Sequence, residues 1–265
     1  MYAVNYHRAA SVSEAAKLIK TDDAKLLSGG MTLIPAMKTR LAAPSDLVDL
    51  SRITELQGVK VSGKTINIGA ATTHFEVAND EKLKKACPAL AHLASLIGDP
   101  AVRHRGTIGG SIANNDPAAD YPAALLALGA TIVTNKREIA ADKFFKGLFE
   151  TALKDGEIIT AVTFTAPAKA AYEKFRNPAS RYAIVGVFVA KGKDGVSVAV
   201  TGAGDDGVFR SKEIEAALAK SFDAASLNGV KVPAKNLMTD IHASADYRAN
   251  LISVMAKRAV AAANA

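Results

Sequence analysis

Apolar positions recur in two rhythms along the first fifty residues. Tyr2 to Tyr6 reads as a strand. Ser11, followed three residues later by Glu14, is a capping-box signature opening a helix through Ala15, Ala16, Leu18 and Ile19. Lys25-Leu26-Leu27 reads as a short strand, broken by Ser28-Gly29-Gly30-Met31-Thr32. Thr32 to Leu41 places Leu33, Ala36, Met37 and Leu41 on one helical side. Asp46 to Leu50 predicts another strand. The whole is a small βαβαβ-like unit.

From about Glu55 a second segment begins. Val59-Lys60-Val61 and Ile66-Asn67-Ile68 alternate like the arms of a hairpin around Ser-Gly-Lys-Thr. Helices are predicted over 73–77 and 81–97, the second interrupted at Pro88. A loop over 98–106 leads into a Thr107-Ile108-Gly109-Gly110-Ser111 turn and an Ala-rich helix from about Asp120. Strands over 131–133 and 158–164 close the segment. Ala166-Pro167-Ala168-Lys169-Ala170 reads as a linker. Beyond it lie strands over 183–190 and 196–201, then helices over 211–220 and 246–262, an α+β tail without tandem repeats.

Composition narrows the function classes. The 265 residues are 49% hydrophobic and 22% charged, enough apolar material for a real core. The formal charge of +7 allows an anionic ligand or acidic partner without demanding nucleic acid. Lys38, Arg40, Arg103 and Arg105 fit either a solvated face or a docking surface. The lone Cys87 cannot form an internal disulfide, nor by itself hold an iron–sulfur cluster or zinc; it reads as a small buried residue. His74, His92, His104 and His242 show no ligand spacing. The N-terminal stretch lacks a signal-peptide pattern and no apolar run approaches the roughly 20 residues of a membrane helix, so a cytoplasmic protein with no membrane span is expected.

Two nucleotide motifs compete with plainer readings. Gly58 to Thr65 matches G-x-x-x-x-G-K-T, but that motif needs a strand before it and a helix after it. Here VKV lies inside it and INIGA follows, so it reads as a hairpin turn. Gly202 to Gly207 matches G-x-G-x-x-G, but Asp205 and Asp206 would repel a pyrophosphate. The Ser28–Thr32 and Thr107–Ser111 segments fit anion binding better. Glycines flanked by hydroxyls let backbone N–H groups approach a ligand, and two such loops can close on one diphosphate.

The stretches SGGMTLIPAMKTRLAAPSDLVDLSRI and RHRGTIGGSIANNDPAADYPAALLALGA resemble the two FAD-binding motifs of molybdenum hydroxylase flavoprotein subunits, the carbon monoxide dehydrogenase and xanthine dehydrogenase family. The resemblance continues through EKFRNPASRYAIVGV and AVTGAG, over essentially the whole chain. It implies an α+β fold: a two-subdomain FAD-binding domain of the vanillyl-alcohol-oxidase type (1–55 and 56–168) plus a C-terminal α+β domain (169–265). It implies FAD on this chain, with [2Fe–2S] clusters on a small partner subunit and the molybdenum cofactor on a large one, in a dimer of heterotrimers.

Carried over by position, the resemblance puts Ser28, Gly29, Gly30, Met31 and Thr32, with Thr107, Ile108, Gly109, Gly110 and Ser111, around the pyrophosphate and ribityl chain. Ile108 would pack near the isoalloxazine, Asp120 would meet the adenosine end, and Lys174 would lie near the flavin ring. Ile159 and Tyr182 are further candidates for the ring. Asp116 suits either an FAD contact or a turn cap. Catalytic side chains and metal ligands are not expected on this chain. Asn114-Asn115 stands where many relatives have His-Ala, and no Cys-rich insertion is present. The implied role is electron transfer from the clusters through FAD to an external acceptor. Alternatives are a stand-alone FAD oxidoreductase and a non-redox nucleotide-binding module using the P-loop-like segment.

Overall fold

The computed structural model describes residues 1–21 and 23–265. The first unit runs β1 (Asn5–Arg8), α1 (Val12–Leu18), β2 (Lys25–Leu27), α2 (Leu33–Lys38) and β3 (Asp46–Asp49). Its parallel sheet has the order β1-β3-β2, with the most buried strand in the centre. Leu47 and Val48 are buried there, while both edge strands stay partly exposed. Ser11 caps α1 by accepting from Glu14 N, whereas the Glu14 carboxylate reaches back to Ala10 N rather than to the cap's own amide. Helix α2 is shorter than the periodicity predicts. Arg40 adopts φ +63, and Leu41 and Ala42 both donate their amides to Ala36 O, which ends the helix.

The second unit contains β4 (Val59–Ser62), β5 (Thr65–Gly69), α3 (His74–Asn79), α4 (Glu81–Ala86), α5 (Pro88–Ser95), α6 (Pro100–Arg103), α7 (Ile108–Asn114) and α8 (Tyr121–Ala127). It ends with β6 (Thr131–Thr134), β7 (Glu138–Ala140), α9 (Ala141–Phe144), β8 (Phe145–Gly147), β9 (Glu150–Thr151) and β10 (Ile159–Thr165). The antiparallel sheet has the order β4-β5-β10-β6-β7. In its centre Val162 pairs with Ile68 on one side and Ile132 on the other, all three fully buried. The P-loop-like segment is the β4–β5 hairpin, with Gly63 at φ +56 in its turn and Ser62 paired to Thr65. It lacks the following helix that phosphate binding needs.

The 166–170 segment departs from the predicted linker. Ala166 N donates to Lys64 O and Ala168 N to Lys191 O, and β11 (Lys169–Arg176) starts at once. Then follow β12 (Ala183–Gly192), β13 (Gly195–Thr201), β14 (Phe209–Arg210), α10 (Lys212–Lys220) and α11 (Ala245–Asn264), with sheet order β11-β12-β13-β14. Strand β12 is continuously apolar because both its faces are covered. Val185, Val187 and Val189 join one core with Ile252, Met255 and Ala256 of α11. Phe188 and Ala190 join the other core, with the second unit's helices. The Ala-rich C-terminal helix therefore packs on its own sheet. Buried Arg248 ties it down, donating to Ile184 O and Gly202 O and to the Asp240 carboxylate. The G-x-G-x-x-G match is a turn: Gly202 has φ +80, and a Cβ on it would lie 2.4 Å from Ala183 O.

Candidate functional site

The two Gly-Gly segments meet at one cleft of about 820 Å³. Ser28 Oγ and Thr107 Oγ1 are 2.8 Å apart and hydrogen-bonded, 79 residues apart in sequence. Gly29 makes the approach possible: a Cβ there would fall 2.2 Å from Arg105 O and 2.7 Å from Gly106 Cα. Gly30 has φ +73, a conformation that glycine adopts without strain. Among the described residues none accepts a hydrogen bond from the amides of Gly29, Gly30, Met31 or Thr32. All four residues line the cleft.

The 107–111 segment works differently from the predicted loop. It is the first turn of α7, capped by Thr107, whose Oγ1 accepts from Gly110 N at 3.1 Å. Ile108 N donates to Thr72 O and Gly109 N to Ala70 O. The amides of Ile108, Gly109, Gly110 and Ser111 are therefore already used, whereas those of Gly29 to Thr32 are free among the described residues. Gly109 is small because its Cβ would meet Ala70 Cβ at 2.6 Å, and Gly110 because its own would meet Thr107 Oγ1 at 2.9 Å. Both glycines serve helix packing and capping. Ile108 is not on the cleft wall. Its side chain is fully buried in the core beneath it. Thr107, Gly109, Gly110 and Ser111 do line the cleft. Ser28→Ala removes only the cross-loop hydroxyl contact, so chemical denaturation should show a loss of about 1 kcal/mol with the fold intact.

The cleft lining also carries charge. Lys174 Nζ lies 2.9 Å from Asp120 Oδ2, and both side chains are buried. Asp120 Oδ1 accepts from the Tyr172 phenol, so both oxygens of this carboxylate are already engaged. A ribose at Asp120 would have to compete with them. Burial pushes the Asp120 carboxyl upward, against the Lys174 charge and both hydrogen bonds. Asp116 Oδ1 caps the following turn by accepting from Ala118 N, yet the residue also lines the cleft, and burial raises its carboxyl too. Ile159 opens β10 on the cleft wall. Half-exposed Tyr182 lies there as well, at the end of a loop that Asn177 Oδ1 organises by accepting from Ala179 N and Ser180 N.

Two cleft residues have no motif to announce them. His74 is buried, its Nδ1 lacks a partner, and burial lowers its pKa to about 4, so it is neutral at neutral pH. Glu157 is fully buried, bonded by Arg137 Nε and Nη2, Thr134 Oγ1 and Lys154 N, and held down at about 2 chiefly by the Arg137 hydrogen bond. It anchors the start of β10. Lys38, Arg40 and Arg105 are exposed; Arg103 instead donates to Ile97 O. Among the described residues no His, Cys, Asp or Glu cluster could hold a metal ion, and no helix is long and apolar enough to cross a membrane.

Residues 2–167 match the family described as the FAD binding domain in molybdopterin dehydrogenase. The chain belongs to this family. Like its relatives, this FAD-binding chain resembles the medium chain of carbon monoxide dehydrogenase from Hydrogenophaga pseudoflava, at 35% identity over 97% of this chain and 96% of that protein. The glyceraldehyde dehydrogenase medium chain of Sulfolobus acidocaldarius is 35% identical, over 92% and 90% of the two chains. In structure, a chain of the Hydrogenophaga pseudoflava carbon monoxide dehydrogenase that lacks the Mo-pyranopterin moiety superposes with a TM-score of 0.87 over 99% of this chain and 97% of that one. Quinoline 2-oxidoreductase from Pseudomonas putida gives 0.88 at 28% identity, with the same coverage of each chain. The relatives are subunits of oxidoreductases, and this FAD-binding chain is one of their kind. The cleft fits a dinucleotide. Its volume lies within the usual ligand-pocket range of roughly 300–1,000 Å³, and its free amides suit a diphosphate.

Proposed function

We propose that this chain is the FAD-carrying electron-transfer subunit of a three-subunit molybdenum hydroxylase. A small subunit with [2Fe–2S] clusters would supply electrons, a large molybdenum subunit would oxidise the organic substrate, and an external acceptor would drain the flavin. The observation that carries this reading is the cleft itself, lined by a row of free amides and a buried ammonium, in a chain whose single cysteine cannot hold a cluster. Residues 1–55 and 56–168 would form the two FAD-binding subdomains and 169–265 the C-terminal domain, with the assembly a dimer of heterotrimers.

FAD, when bound, supplies redox chemistry that protein side chains lack. The chain's own task is to bind and orient it. Gly29, Gly30, Met31 and Thr32 would offer amides to the pyrophosphate, with the Ser28–Thr107 hydroxyl pair behind them. Gly109 and Gly110 would shape the opposite edge and Ser111 would offer its hydroxyl. Ile159 and Tyr182 would border the ring system, Asp116 would approach it from the turn before α8, and Lys174 would place a positive charge beside it, with Asp120 as counter-ion.

The test is purification of the native assembly with release of its cofactors. FAD should appear in acid supernatant, together with two partner chains. The isolated FAD-loaded chain should reoxidise with an artificial acceptor after dithionite, yet show no turnover of aldehydes, purines or carbon monoxide. Substrate oxidation by the chain alone, without partners by mass spectrometry, would favour a stand-alone oxidoreductase. Lys64→Ala, in the hairpin turn, should leave flavin content unchanged by absorbance. Loss of nucleotide binding in that variant would favour the non-redox module.

A further inference from the structure

The charge pair on the cleft wall is built by three neighbouring strands in one register. Lys174 on β11 pairs with Gly186 on β12, and Gly186 with Thr201 on β13. Gly186 is where the Tyr172 phenol passes: a Cβ there would lie 2.2 Å from the phenolic oxygen. Through that gap Tyr172 donates to Asp120 Oδ1 at 2.5 Å, while Lys174 Nζ donates to Oδ2 at 2.9 Å. Thr201 Oγ1 lies 2.6 Å from Ala119 O and 3.0 Å from Pro117 O, clamping the backbone just before Asp120. The C-terminal sheet thus positions a carboxylate belonging to the preceding unit.

We propose that Tyr172 is a positioning residue that keeps Asp120 ionised, so that the cleft presents Lys174 to the FAD as a neutralised pair and not as a free cation. Burial opposes the ionised carboxylate, and three groups of β11 support it: Lys174, Tyr172 and Arg176. From α8 the neighbouring Tyr121 phenol faces the same region, buried and without a partner. From the 177–182 loop, Tyr182 feels both Asp116 and Asp120. Burial, then the Asp120 charge, raises the Tyr172 phenol well above its ordinary value, so it remains a donor. Removing that donor deletes a hydrogen bond to a charged acceptor and raises the proton affinity of Asp120 about tenfold or more. The proton comes from solvent. Once it is bound, the Lys174 ammonium stands uncompensated in a wall of low dielectric and favours added electrons in the cleft.

This inference rests on the cleft being the flavin site. The experiment uses the FAD-loaded chain with Tyr172→Phe. The carboxylic-acid band of Asp120, assigned in pH-difference infrared spectra by its loss in Asp120→Asn, should appear at a pH higher by about one unit or more. The FAD midpoint potential should break upward at that same raised pH, with FAD content unchanged. Gly186→Ala, which crowds out the phenol, should reproduce both shifts and serves if Tyr172→Phe folds poorly. Normal FAD content with an unmoved band and potential profile would overturn the role of Tyr172. Absence of FAD from the wild-type chain would defeat the reading of the cleft instead, and the infrared shift would still report on the carboxylate.

Discussion

Gly29→Ala should lower FAD loading about tenfold or more, read as the flavin-to-protein absorbance ratio of the purified chain. The added methyl would sit 2.2 Å from Arg105 O and 2.7 Å from Gly106 Cα, both backbone atoms that no rotamer change can move. One segment must therefore withdraw. That separates Ser28 Oγ from Thr107 Oγ1 and misaligns the free amides from Gly29 to Thr32. Gly110→Ala gives an internal contrast. Its methyl would crowd only the Thr107 hydroxyl at 2.9 Å, so it should weaken the α7 cap and loading far less. Equal loss in both variants, or full loading in Gly29→Ala, would show that the joint between the two segments does not form the binding surface.

The sequence was most legible where side-chain period and burial agree. The 59–69 hairpin alternates cleanly because one face of β5 is buried and the other is not. The apolar run of β12 stands out because two cores use it. The family resemblance rested on the two glycine segments and holds. The 107–111 helix was hidden because adjacent glycines disfavour helix; the Thr107 cap and the carbonyls of Ala70 and Thr72 overrule that local preference. The first two residues of β11 lie in the Ala- and Lys-rich stretch read as a linker; pairing with β12, not their own propensity, makes them strand. The contacts of Asp120 with Tyr172 and Lys174 span more than fifty residues and leave no local pattern. His74 and Glu157 were missed for a related reason. Nothing beside them in sequence reports that each is buried at the cleft.

Those two residues contribute to the acid stability of the chain in successive windows. His74 titrates near 6.5 when unfolded and near 4 when folded, because burial and then the Arg103 charge disfavour the imidazolium. Between those values the unfolded chain holds a proton that the folded chain lacks. Stability is therefore full above pH 6.5 and falls as pH drops toward 4, by about 3 kcal/mol in all. Glu157 has the other sign of charge and the same direction of loss. Its carboxylate, depressed from 4.5 to about 2, stabilises the fold above pH 4.5 and ceases to do so as pH falls toward 2. Urea midpoints at fixed FAD content should separate the two. His74→Leu should flatten the profile between pH 6.5 and 4.5 while leaving the lower decline. It should cost little at pH 7, since the imidazole it removes has an unpartnered Nδ1. Glu157→Gln should lose about 2 kcal/mol at pH 7, because the partly exposed Arg137 can recover some hydration, and should soften the lower decline, to which the lowered carboxyls of Asp49 and Asp240 also contribute. A His74→Leu profile that still falls like the wild type between pH 6.5 and 4.5 would show that another group carries the first window.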